Sequence, residues 1–219
     1  MRHRALTILP ALLALILTAY GGLLRLDAYV QKYGTVDRPA LARLLTHDVA
    51  PLAKHLRPSA YRWYRVDSPY EGGDPINYLK FAREMRSFYQ AHVREPVFLA
   101  VTRGYLWLLS NHDAAVSFAS MTGSVVTILA AYLLGAVILS RAAGLFVSFL
   151  LAVEYELITW AVDGWRDDVF MATVVLSAWA FVRCQRNPSR RNALLVGIAT
   201  AAACLTRITA LAFVLPALV

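Results

Sequence analysis

Cysteine is nearly missing from this chain: two residues in 219, Cys184 and Cys204. Both lie in or beside apolar stretches, and neither has a metal-ligand spacing, so a disulfide framework and a zinc site are excluded. Charge is scarce too, with Asp, Glu, Lys and Arg at 16% against 58% hydrophobic residues. A soluble domain of this length carries more charge and less apolar surface. No internal repeat or low-complexity tract is visible. Acidic residues are the rarer sign, leaving a net charge of +8 and a pI near 9.8. That balance suits nucleic-acid binding only if the basic residues form one patch. They cluster instead between apolar blocks, at Arg2 and Arg4 and at Arg183, Arg186, Arg190 and Arg191, which is the pattern of membrane orientation. No nucleic-acid partner is expected.

What is present is a series of apolar blocks, with mean hydropathy +0.51. The reading is an all-α fold: a polytopic transmembrane helix bundle with amphipathic juxtamembrane helices in its first extracytoplasmic loop. Residues 5–24 are long enough to cross a hydrocarbon core of about 30 Å. A cleaved signal peptide is the competing reading, disfavoured by the long apolar run and the spans that follow. Residues 25–113 form one long polar connection. It contains a weakly amphipathic stretch over 40–56, an aromatic cluster (Tyr61, Trp63, Tyr64, Tyr70) suited to the headgroup layer, and surface helices over 75–92 and 96–110. Further spans are expected over 114–139, 142–160, 168–183 and 193–206, with a last one beginning at 208. The chain stops inside that apolar run, so it is read as the N-terminal part of a longer protein and expected to be inactive alone.

Residues 96–110 are short for a span and carry Arg103 at their centre, which is costly in hydrocarbon. If they do not cross, Arg141 and the 183–191 turn share the cytoplasmic side with the N-terminus. If they cross, those arginines fall outside, against the positive-inside bias. The non-crossing arrangement is therefore preferred. It puts the long first loop, the Arg166-Asp167-Asp168 loop and Arg207 on one, extracytoplasmic face of the plasma (inner) membrane.

In the first loop, Asp74-Pro75 has the form of a helix start, with Asp74 at the N-cap and Pro75 at the first helical position. Tyr78, Phe81, Ala82, Met85, Phe88 and Tyr89 follow at steps of three and four, giving an apolar face. Ionisable groups converging beside a bilayer point to function. A carboxylate there can serve as general base for an acceptor hydroxyl. A second carboxylate pair can orient that base or hold a divalent ion, and arginines can hold a phosphate. Those parts suffice to move a sugar off a lipid phosphate. The competing readings are structural: Asp74 as a bare cap, a solvated loop ion pair, Arg207 snorkelling from a helix end, Arg103 on a lipid headgroup. A lipid-phosphate-binding transporter or flippase, or an inactive fragment, remains as the alternative function. Glu154, Glu156, His92 and His112 show no partners in the sequence.

Four segments carry a resemblance. GGDPINYLKFAREM, REPVFLAVTRGYLWLL, VDGWRDDVFMATVVL and RRNALLVGIATAAACLTRITALAFVLP occur in the order and spacing of the GT-C superfamily of integral-membrane glycosyltransferases. The chain most resembles the protein mannosyltransferase and lipid A aminoarabinose transferase branch. The resemblance implies a polyprenyl-phosphate sugar donor bound on the extracytoplasmic side, membrane lipids as surroundings, and inversion at the anomeric centre. It implies Asp74 as catalytic base and Asp167 or Asp168 as the second-loop acid. Arg103, Arg166 and Arg207 become donor-phosphate contacts, with Arg94 standing for the family's lysine. A divalent cation (Mg or Mn) on Asp74 and Asp168 is a further implication. Two departures stand out: the family's first-loop acidic pair is here Asp74-Pro75, and its Pro-Pro step is Glu95-Pro96.

Overall fold

The computed structural model describes residues 2–33, 70, 73–88, 96–109 and 112–212, with side chains from residue 8 onward in the first helix. Arg94, the Tyr61–Trp63–Tyr64 cluster, the 40–56 stretch, residues 89–92 and residues 213–219 lie outside the described residues. The described elements are helical throughout: α1 (Arg2–Tyr33), α2 (Asp74–Glu84), α3 (Pro96–Leu108), α4 (Ala114–Ile138), α5 (Arg141–Val153), α6 (Tyr155–Val162), α7 (Asp167–Arg186), α8 (Arg190–Thr206), then a 3-10 turn at Ile208–Ala210.

α4 is the axis of the bundle. Its small residues let neighbours approach closely, as in membrane helix packing generally. A Cβ on Gly123 would meet the backbone of α7 at 2.5 Å (Val169 N) and 2.7 Å (Asp168 C). A Cβ on Gly135 would meet Gly144 Cα of α5 at 2.8 Å. Gly123→Ala is therefore expected to push α7 off α4 at Asp168, costing about 1–3 kcal/mol as overpacking does. A melting curve in detergent checks this, and an unchanged Tm would contradict the close approach.

α1 and α4 run antiparallel: Gly21 faces Ile128, Arg25 bonds Ser124, and Tyr29 packs on Phe118. The end of α1 and the start of α4 thus lie at the same end of the bundle. α2 and α3 pack there too, through Tyr78, Leu79, Ala82, Phe98, Leu99 and Leu106 against Ala115, Val116 and Ala119 of α4. Arg141, Arg183, Arg186, Arg190 and Arg191 follow α4 or flank the α7–α8 turn, at the opposite end.

Three boundaries differ from the sequence expectation. α1 runs on to Tyr33 because Arg25, read as the edge of the span, is buried and hydrogen-bonded. α2 ends at Glu84 rather than 92, where Arg103 of α3 donates to the carbonyls of Ala82 (2.9 Å) and Arg83 (3.2 Å). The third is the stretch 142–160, which is two helices, α5 and α6, bent by 56° at Glu154. The bend deprives the Leu151 and Ala152 carbonyls of their helical donors. The Arg25 guanidinium supplies them, at 3.1 Å and 3.4 Å. Among the described residues, two helices are long and apolar enough to cross a membrane, α1 from Ile8 and α4, or three if the bent pair is one span. α7 carries charge in both its first and last turns, and α8 has 17 residues.

Candidate active site

Gly73, at φ 79°, turns the chain into α2 with a backbone few other residues tolerate. Asp74 follows as the first helical residue. Gly73, not Asp74, holds the N-cap position, so the cap expected from the sequence is corrected. The exposed Asp74 carboxylate instead accepts from the Tyr78 hydroxyl one turn on, at 3.3 Å. Of the apolar face expected here, Tyr78 and Ala82 are buried in the helix and Met85 is buried just past its end, whereas Phe81 is half-buried and Phe88 is exposed; Pro75 and Leu79 complete the buried face instead. Tyr78 is wedged edge-on against Phe98, with centroids 5.0 Å apart. The Arg166 guanidinium lies over the same ring, 5.9 Å from its centroid. One tyrosine therefore touches Asp74 through its hydroxyl and Arg166 through its ring.

Arg166 belongs to the turn between α6 and α7, which Gly164 (φ 81°) reverses against Val116 and Ser117 of α4. Asp163 in this turn is ion-paired to Lys32 and accepts from Tyr33 at 3.1 Å, tying the end of α1 to the same place. Asp167 and Asp168, neighbours in sequence, part company. Asp167 points outward and is ion-paired with Arg207 from the end of α8, both partly exposed. Asp168 points inward, 5% exposed, and accepts from Ser120 at 2.8 Å. Both stand in the first turn of α7, where the helix dipole favours carboxylates.

Of the residues expected from sequence, Asp74, Arg166, Asp167, Asp168 and Arg207 thus gather at one end of the bundle. Arg103 stands on an exposed face of α3 and spends one guanidinium nitrogen on the end of α2. It also lines an open groove of about 820 Å³ with Arg83, Gly104 and Trp107.

Sequence reasoning passed over three groups. Arg25 is one, and a continuing helical pattern at Leu26, Tyr29, Val30 and Tyr33 could have flagged it. The second is an ion pair between Arg83 of α2 and Asp113 at the start of α4, at 2.6 Å and almost wholly buried. His112 is the third. Its Nδ1 accepts from the Ala114 N–H at 2.9 Å, so the ring serves as a cap in its neutral form. His112 and Asp113 are both buried.

Burial, and then the nearby Arg83 charge, hold His112 down at about 4. Burial pushes the Asp113 carboxyl up to about 8 and Arg83 down to about 10. A base with a lowered folded-state pKa contributes stability that is present above its ordinary 6.5 and is lost as pH falls through 4. Asp113 acts oppositely, losing stability as pH rises toward 8, so the His112 effect is read as a difference between proteins. His112→Asn keeps an acceptor near Ala114. Its stability relative to the parent is expected to rise by up to about 3 kcal/mol as pH falls from 6.5 to 4. Melting curves of the two proteins across that range decide it, and a pH-independent gap would contradict it.

Among the described residues no three His, Cys, Asp or Glu side chains gather as a metal ion requires. Asp168 accepts from Ser120, and Asp74 accepts from Tyr78. As placed, these residues do not fit a divalent cation, and no step below passes through one.

The family model for dolichyl-phosphate-mannose-protein mannosyltransferase matches residues 93–219, more than half of the chain. The match begins downstream of Asp74 and includes Asp113, Arg166, Asp167, Asp168 and Arg207. No curated protein and no solved structure matches the chain.

Proposed function

The chain belongs to the dolichyl-phosphate-mannose-protein mannosyltransferase family, and on that premise we propose how it carries out transfer. As a member it is a membrane glycosyltransferase using a lipid-linked donor. In our reading Asp74 is the general base. It takes the proton of an acceptor hydroxyl as that oxygen attacks the anomeric carbon of a polyprenyl-phosphate sugar. The bond from that carbon to the phosphate oxygen breaks in the same displacement, so configuration inverts and the lipid phosphate leaves.

Arg166 and Arg207 hold the departing phosphate, whose charge they are suited to balance. Arg103 meets the same anion from the groove it lines, and Arg94 is assigned to it by its place in the motif. Asp167 keeps Arg207 in position, and Asp168 fixes the first turn of α7 behind them. The site faces the extracytoplasmic side of the plasma (inner) membrane and the N-terminus the cytoplasm. This is supported by the five arginines at the far end of the bundle and the positive-inside bias.

One observation carries the reading: Tyr78 is in contact with both Asp74 and Arg166. A base and a phosphate-binding cation thereby share a site although they come from separate connections. The test is single-turnover transfer from polyprenyl-phosphate mannose to a hydroxyl-bearing peptide by the full-length protein, with product configuration read by NMR. Inverted product supports the displacement. Retained configuration, or donor binding with no transfer to any hydroxyl acceptor, would contradict it.

A further inference from the structure

Arg25 is 1% exposed, in a helix whose other side carries the exposed Leu12, Leu15, Ile16 and Leu23. A buried charge of this kind costs several kcal/mol in hydrocarbon unless it is answered. Part of the answer is structural. Nη1 and Nη2 donate to carbonyls of its own helix (Gly21, 2.9 Å) and of the broken end of α5 (Leu151 and Ala152).

Nε has a different target. It donates to the Ser124 hydroxyl of α4 at 2.8 Å. Ser120, one turn earlier on the same helix, donates to the Asp168 carboxylate at 2.8 Å. Gly123, between the two serines, lets the backbone of Asp168 come into direct contact.

A lysine or a glutamine could cap the two α5 carbonyls. Only a forked cation can do so and reach Ser124 at once.

We propose that Arg25 is a positioning residue for the transfer reaction. Through Ser124 it fixes the turn of α4 whose Ser120 and Gly123 seat Asp168, and with it the start of α7 that presents Arg166 to the donor phosphate and Asp167 to Arg207. The inference rests on the reading that this turn belongs to the site. Arg25 touches neither donor nor acceptor. Its effect is on geometry when charge moves to the leaving phosphate, and such misplacement costs on the order of a hundredfold in rate.

The experiment uses the full-length protein in nanodiscs with polyprenyl-phosphate mannose and a hydroxyl acceptor. Four variants are compared: Arg25→Met, Arg25→Lys, Ser124→Ala and Asp168→Asn. Rates are taken per folded molecule, judged by monodispersity and melting. We expect Arg25→Met to lower kcat on the order of a hundredfold and Ser124→Ala about tenfold. KM for the donor stays nearly unchanged in both, and Arg25→Lys recovers part of the loss.

Ser124→Ala keeps Arg25 and its carbonyl bonds, so it decides the matter even if Arg25→Met fails to fold. Wild-type kcat in Ser124→Ala, with Asp168→Asn impaired, overturns the inference and leaves the site reading standing. Wild-type kcat in Asp168→Asn overturns both. A loss confined to KM, or to Tm with unchanged kcat, also overturns it, since a merely structural clamp predicts that.

Discussion

Asp74→Asn is expected to lower sugar transfer by about 10²–10⁴-fold, the range for removing a positioned general base. Donor binding should be nearly unchanged, because the proton is taken only in the transition state and its loss appears in kcat rather than KM. The substitution is structurally mild. The Asn amide oxygen can still accept from Tyr78, which now bonds Oδ2 at 3.3 Å, and the side chain is exposed. The N-cap of α2 is Gly73, so the substitution leaves the cap residue in place. Surface changes of this type alter stability by no more than about 0.5 kcal/mol. A large fall in rate with an unshifted Tm therefore isolates the chemistry. Asp74→Glu is a useful companion, because it keeps the base but lengthens it past its contact with Tyr78. Partial activity in Asp74→Glu and none in Asp74→Asn is the expected pair of results. More than half of normal kcat in Asp74→Asn would remove Asp74 from the mechanism.

The second large effect is on stability. Asp113→Ala is expected to cost about 3–5 kcal/mol, because it leaves the Arg83 charge buried without its partner, and Arg83→Ala less at neutral pH, because the Asp113 carboxyl, pushed up to about 8 by burial, can take a proton. The pair joins α2 to the start of α4 at 2.6 Å, with side chains 9% and 0% exposed. α2 carries Asp74, so the pair is also what fixes the base relative to the bundle. Replacing both, as Arg83→Met with Asp113→Leu, should restore much of the loss, since two apolar groups leave nothing unpaired. Unfolding measured for the two singles and the double gives the coupling energy directly. Singles that each cost under about 1 kcal/mol would mean that the pair is open to water, as surface pairs are.

Much of the fold was legible because apolar spacing reports burial. The pattern of Tyr78 and Ala82 located α2, and the run from Ala114 located α4. The convergence of Asp74, Arg166, Asp167, Asp168 and Arg207 followed from counting crossings and arginines. Side-chain direction was not legible. Nothing in Arg166-Asp167-Asp168 says that Asp167 turns out to Arg207 while Asp168 turns in to Ser120. That choice is made by α4, distant in sequence. Arg25 misled for a physical reason. A charge beside an apolar run normally marks its edge, and here it lies inside because Gly21, Ser124 and the broken α5 supply acceptors. The bend at Glu154 was equally hidden, since neither proline nor glycine causes it. Arg83 and Asp113 are 30 residues apart, and only the packing of α2 on α4 brings them together.

The mechanism requires α2 and the turn before α7 to share one site, and crosslinking measures this most directly. Cysteines at positions 78 and 166, in a protein with Cys184 and Cys204 replaced by serine, are treated in native membranes with a short bis-maleimide. The contact between Tyr78 and Arg166 predicts efficient intramolecular crosslinking, blocked by polyprenyl-phosphate mannose. No crosslink, with each cysteine reactive alone, would show that the base and the phosphate-binding arginine do not meet.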